Sequence, residues 1–150
     1  MVVADSNYRC LHAGIDNYGK VCDSTIFKRS ILRTKIQTNM LELPSDRPLA
    51  GTEGAHVPYF LVGDEGFALN RNILRPFCGS NLSVKNNVYK HRLCRARSYV
   101  EYAFGILSNK WRILQRMLND NPAFAGDIVK ASVFLHNFVR DRDGCKSRTL

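Results

Sequence analysis

Two acidic residues in matching settings are the first candidates for chemistry. Asp64 closes the apolar run Tyr59-Phe60-Leu61-Val62-Gly63, and Glu101 sits inside a basic, helix-patterned stretch from Arg97 to Gly105. A carboxylate at a strand end and a second on a later helix is how metal-dependent phosphoryl-transfer nucleases cage divalent cations. Each acid also has a plainer reading. Asp64 could simply start the turn Gly63-Asp64-Glu65-Gly66. Glu101 could pair with Arg97, four residues back on the same helical face, for only ~0.3–0.5 kcal/mol. Its place beside the apolar stripe calls for a partner of one kind or the other, because an unpaired buried charge is costly.

The surrounding charge favours a polyanionic ligand. The chain carries +9 at pH 7 over 150 residues. Lys85, Lys90, Arg92, Arg95, Arg97, Lys110, Arg112 and Arg116 face a single acid, Glu101, between positions 85 and 116. A field of that sign attracts nucleic acid through its phosphates, although a solvated helix face would carry the same residues. No helix-turn-helix or zinc finger accompanies it, so these side chains are expected to hold phosphates rather than read bases.

Other chemistries find little support. The five cysteines are odd in number, widely spaced and lack a C-x-x-C, which argues against a disulfide framework or zinc site and suits a reducing compartment. The four histidines show no ligand spacing, and His136 reads as a hydrogen-bonded core residue. Cys22 has no activating His beside it, and no phosphate-binding glycine loop or serine-hydrolase elbow is present. Met1-Val2-Val3-Ala4 is too short for a signal-peptide core and no run is long enough to span a membrane, so a soluble intracellular protein is expected.

The elements that must position these residues follow from patterning. Val2–Ala4 and Tyr8–Ile15 read as strands joined at Asp5-Ser6-Asn7. Asp23 or Ser24 would cap a helix carrying Ile26, Phe27, Ile31, Leu32, Ile36 and Met40. Pro44 to Pro58 is a loop, with three prolines and no period. A strand ends at Asp64, and Ile73–Phe77 makes a second short one with Pro76 at its edge or end. Residues 83–117 read as a helix with Leu93, Val100, Phe104, Leu107, Trp111 and Leu114 on one stripe, and 123–140 as a final helix. The order is that of an α/β domain with a mixed sheet.

Four words make a family resemblance. Gly19-Lys20-Val21-Cys22-Asp23-Ser24-Thr25-Ile26-Phe27 is similar to G-x-x-x-D-S-x-x-F, and Gly63-Asp64-Glu65-Gly66-Phe67 to G-D-x-G-[YF]. Arg97-x-x-Val100-Glu101-x-x-Phe104-Gly105 is similar to R-x-x-V-E-x-x-F-G, and Leu135-His136-Asn137-Phe138 to L-H-N-F. In this order they resemble the nuclease domain of PIF/Harbinger-type DDE transposases and their domesticated relatives. The resemblance implies an RNase H-like mixed sheet flanked by helices over residues 1–140, with 141–150 a polar tail. It implies two Mg²⁺ or Mn²⁺ ions ~3.5–4 Å apart, with Asp64 and Glu101 as catalytic metal ligands and Asp23 as a further one. It also implies DNA as the partner, a separate Myb-like protein for sequence recognition, and a nuclear setting, with the cytoplasm the other possibility.

Two departures bear on activity. Tyr102 stands where the family has a basic residue after its glutamate. The family's first strand, with the first catalytic aspartate in a word like I-D-G-T-H, has no counterpart; the match starts at the second strand, and Asp5 and Asp16 correspond to no family ligand. The resemblance therefore implies the C-terminal two-thirds of a nuclease domain, catalytically incomplete, with apolar surface left exposed where that strand would pack. The rival reading is a domesticated module that binds DNA or protein without catalysis.

Overall fold

The computed structural model describes residues 1–15, 21–41, 43–118 and 121–143. They fall into two units, Met1–Val21 with Ser98–Leu150 and Cys22–Arg97. The architecture is α/β, as expected. The described strands pair only in twos, so the broad mixed sheet expected from the sequence is not what they form.

The first unit is built on a hairpin. Strands β1 (Val2–Ala4) and β2 (Cys10–Ala13) run antiparallel, with a register irregularity between Val3 and Ala4. Asp5 shapes the turn: its Oδ1 accepts the N–H groups of Asn7 at 2.8 Å and Arg9 at 2.9 Å. Tyr8 closes the loop with φ of 62°, in the left-handed region that usually takes glycine. A side chain there costs on the order of 1–2 kcal/mol, so other contacts must hold it.

Those contacts come from the last helix, α4 (Pro122–Arg142), whose first residue Pro122 follows the capping Asn121 side chain. His136, 1% exposed, donates from Nε2 to the Tyr8 carbonyl at 2.7 Å. Asn137 bonds both backbone groups of Cys10, accepting its N–H at 2.9 Å and donating to its carbonyl at 2.8 Å. The two most buried residues of α4, Ser132 and His136, are polar, with Ile128, Val129, Val133 and Val139 half-buried, while Phe134 is 78% and Phe138 60% exposed. His136 and Asn137 are polar because they meet hairpin backbone that needs hydrogen bonds, whereas the Ser132 hydroxyl donates to the Ile128 carbonyl of its own helix at 2.8 Å. Leu135-His136-Asn137-Phe138 is, in this fold, a clamp on the hairpin.

The second unit holds α1 (Asp23–Arg29), α2 (Ile31–Gln37), β3 (Leu61–Val62) and β4 (Ile73–Leu74). The single helix expected over Ile26 to Met40 is broken at Ser30, whose backbone is extended at ψ 150°. Its hydroxyl donates to the Phe27 carbonyl at 2.8 Å and accepts from the Arg33 N–H at 3.2 Å, so one side chain ends α1 and caps α2. Cys22, not Asp23 or Ser24, occupies the N-cap position of α1. Ile26, Phe27 and Leu32 are buried, whereas Ile31 and Met40, expected on the apolar face, are 72% and 69% exposed. β3 and β4 are parallel, pairing Leu61 with Ile73 and Val62 with Leu74. The proline-rich segment is a loop tied by the isolated bridge Arg47–Val57.

Helix α3 (Val84–Lys110) gives its earlier residues to the second unit and its later ones to the first. A 3-10 turn, Arg112–Gln115, follows. Leu93, Ala103 and Leu107 are the buried apolar residues of α3. Phe104 is 46% exposed, so the expected stripe is narrower than read and closes on the small Ala103. No described helix is long and apolar enough to cross a membrane.

Candidate metal and nucleic-acid site

The G-D-E-G-F word is built around two close approaches. A Cβ at Gly63 would lie 2.9 Å from Cγ of Phe67, so only glycine leaves room for that ring. Phe67 packs on Phe27 of α1, ring centroids 5.5 Å apart at 57°. Two residues on, the Gly66 N–H donates to Asp64 Oδ1 at 2.8 Å, which fixes the turn. A Cβ at Gly66 would lie 3.1 Å from that oxygen and 3.8 Å from Ser24 Oγ. The two words D-S-x-x-F and G-D-x-G-F thus interlock through Phe27 with Phe67 and Ser24 with Gly66.

Their meeting opens a pocket of about 510 Å³ lined by Cys22, Asp23, Ser24, Asp64, Glu65, Gly66, Pro76, Cys94 and Arg97. Asp64 and Pro76 each lie two residues past the carboxyl end of a parallel strand, β3 and β4. Open parallel sheets bind ligands at that end, where the connections leave a crevice. Glu65 is anchored twice at the rim: its carboxylate lies 3.6 Å from Lys90 Nζ, and its carbonyl accepts from Arg75 at 2.8 Å.

Two of the three expected acids, Asp23 and Asp64, therefore line one pocket, and Arg97 lines it too. Both acids are exposed. Glu101 is exposed on α3, one turn beyond Arg97 and in the first unit. Among the described residues, no three His, Cys, Asp or Glu side chains gather to hold a metal ion. Two carboxylates and substrate oxygens can hold one hydrated Mg²⁺, but the two-ion arrangement asks for more ligands than this set supplies. The described residues do not fit a two-ion site.

The expected phosphate contacts divide between the units. Lys85, Arg92 and Arg95 are exposed and Arg97 half-buried on the early part of α3. Lys90 is engaged with Glu65 and with the Gly79 carbonyl at 3.3 Å. Lys110 and Arg112 are exposed where α3 ends and the 3-10 turn begins. Gly19 and Lys20 of the first family word, and Asp16, lie outside the described residues.

Cys22 is the feature that residue types alone did not reveal. Its Sγ lies 3.4 Å from Ser24 Oγ and 3.1 Å from Thr25 Oγ1. Those hydroxyls, Ser24 first, pull the thiol down to about 7. The readable signal was hydroxyls two and three residues after a cysteine at a helix start. Cys10 moves the other way, raised first by burial and then by the charge of Asp5. The sign is direct: a lowered value puts more thiolate at neutral pH, so alkylation of Cys22 should rise through a midpoint near pH 7, while Cys10 stays unreacted. Peptide mapping after iodoacetamide pulses across pH checks this; a Cys22 midpoint at the ordinary ~8.5 would contradict it. Cys10, Cys22, Cys78 and Cys94 are free thiols, and Cys145 lies outside the described residues.

A family model for the DDE superfamily endonucleases matches residues 1–137. No curated protein matches the chain, and no solved structure does.

Proposed function

Because the chain belongs to the DDE superfamily endonucleases, we propose that it is a Harbinger-type, transposase-derived nuclease domain of RNase H-like descent. Its 1–140 region would be that domain, and Asp64, Glu101 and Asp23 its metal-binding acids. The observation that carries this reading is the convergence of Asp23 and Asp64 on one pocket at the carboxyl ends of β3 and β4. The metal would be Mg²⁺ or Mn²⁺, which prefer carboxylate oxygens. DNA would be held through phosphates by Lys85, Lys90, Arg92, Arg95, Arg97, Lys110 and Arg112, with a Myb-like partner reading sequence in the nucleus.

We further propose that these 150 residues do not cleave DNA unaided, since two-ion phosphoryl transfer needs more ligands than Asp23 and Asp64. Asp64 and Asp23 would hold a single cation weakly, and Arg97 would bring a phosphate to the same pocket. The expected result is no nicking of supercoiled plasmid in Mg²⁺ or Mn²⁺, with weak saturable Mn²⁺ binding, read by electron paramagnetic resonance, that Asp64→Ala removes. Metal-dependent nicking abolished by Asp64→Ala would overturn the inactivity.

The absence of a three-residue metal group among the described residues also supports a second reading, a non-catalytic DNA- or protein-binding module. The two part on one substitution. Mn²⁺ binding lost in Asp64→Ala favours an inherited metal site; DNA binding indifferent to both metal and that change favours the module.

A further inference from the structure

The strained Tyr8 is held inside a group of three tyrosines that the metal pocket does not use. Tyr8 stacks on Tyr99 of α3, centroids 5.6 Å apart at 24°, and meets Tyr102 edge-on at 6.4 Å and 90°. Arg140 of α4 lies over the Tyr8 ring at 5.5 Å and donates from Nε to the Asn7 carbonyl at 3.1 Å. All four residues belong to the first unit.

Packing explains part of this group. Tyr8 joins the hairpin to α3 and α4, and Tyr99, 39% exposed, is the surface it stacks on. Packing does not explain Tyr102, which is 60% exposed and adds little burial. Most of the Tyr102 ring lies in water while one contact is made with Tyr8, so a second flat π-system can cover the exposed part of the ring without displacing a packed neighbour. A chain of net charge +9 draws polyanions to its surface. The polyanion that carries flat π-faces is a nucleic acid with its bases unpaired, because paired bases hide those faces in the stack.

We propose that Tyr102, supported by Tyr8 and Tyr99, is a stacking platform for unpaired nucleobases. The proposal rests on the DNA-binding reading above and adds to it the form of the substrate, a melted or single strand. Tyr102 is a binding residue here and takes no part in bond breaking.

The test uses the full chain, an oligothymidylate and a duplex of equal length, with affinities from fluorescence anisotropy at one fixed salt concentration. Tyr102→Ala should weaken single-strand binding about tenfold and leave duplex binding unchanged, while Tyr102→Phe keeps both. Tyr102→Leu, which retains bulk without a π-face, should behave as Tyr102→Ala and covers the case in which the alanine variant does not fold. In the unsubstituted protein, light-induced cross-linking to 5-iodouracil in the single strand should map to the peptide bearing Tyr102. Equal loss for both substrates, no loss for either, or a cross-link elsewhere overturns the platform, while duplex binding by the unsubstituted chain keeps the DNA reading. Failure of the unsubstituted chain to bind either substrate overturns the platform and the DNA reading together.

Discussion

Asn137→Ala should destabilise the first unit by about 2–4 kcal/mol, because it strips partners from two backbone groups at once. The side chain accepts from the Cys10 N–H at 2.9 Å and donates to the Cys10 carbonyl at 2.8 Å, mimicking the pairing of a third strand against β2. Cys10 is buried, 8% exposed, so water cannot readily replace either bond. Alanine keeps the helix propensity of α4 and thus isolates the lost bonds. Asn137→Asp keeps the acceptor, loses the donor and should fall between. Phe138→Ala, next along the helix and 60% exposed, should change stability by less than about 0.5 kcal/mol. Hydrogen exchange of the Cys10 amide is the sensitive readout, since it reports this unit alone. Protection unchanged in Asn137→Ala would mean that the clamp does not hold the hairpin. The case matters beyond stability, because the same helix holds Tyr8 through His136.

What could be read from the sequence was what short-range chemistry determines. Asp5-Ser6-Asn7 announced a turn, and the side chain of Asp5 builds it. The proline-rich loop, the strand before Asp64 and the long helices around 84–110 and 122–142 were legible from period and punctuation. Long-range partnership was not legible. Whether two short strands join a wide sheet depends on residues far away in the chain, and here each strand finds one neighbour. The break at Ser30 escaped because the apolar spacing runs through it; a hydroxyl serving both flanking helices left no period to read. The polar contacts of α4 with the hairpin escaped for a related reason. Amphipathic reasoning assumes an apolar partner, and His136 and Asn137 face backbone. For the candidate site, the words placed Asp23 and Asp64 in one neighbourhood. The glycines that let the words interlock look like ordinary turn residues until the Phe67 ring and Ser24 are in place.

That distinction can be tested with one substitution at two places, where opposite signs are expected. Gly63→Ala should destabilise the second unit by roughly 1–2 kcal/mol. The added Cβ would lie 2.9, 3.0 and 3.1 Å from Cγ, Cδ2 and Cβ of Phe67, and overpacking of this kind costs about 1–3 kcal/mol. A gain of roughly 0.4–1 kcal/mol from the stiffer unfolded chain offsets only part of it. Retreat of the Phe67 ring is not an easy escape, because Phe27 stands 5.5 Å away and is itself buried. Gly105→Ala on α3 meets nothing within 4 Å and should stabilise by about 0.5–1 kcal/mol through helix propensity. Both glycines stand in family words, so the words alone cannot tell which is held by packing. Phe67→Leu should relieve Gly63→Ala, and a double-mutant cycle by urea denaturation would show a coupling of about 0.5–3 kcal/mol. An additive cycle would mean that the ring is not what excludes a side chain at Gly63. The interlock that sets Asp64 beside Asp23 would then have to rest on Gly66 and Ser24 alone.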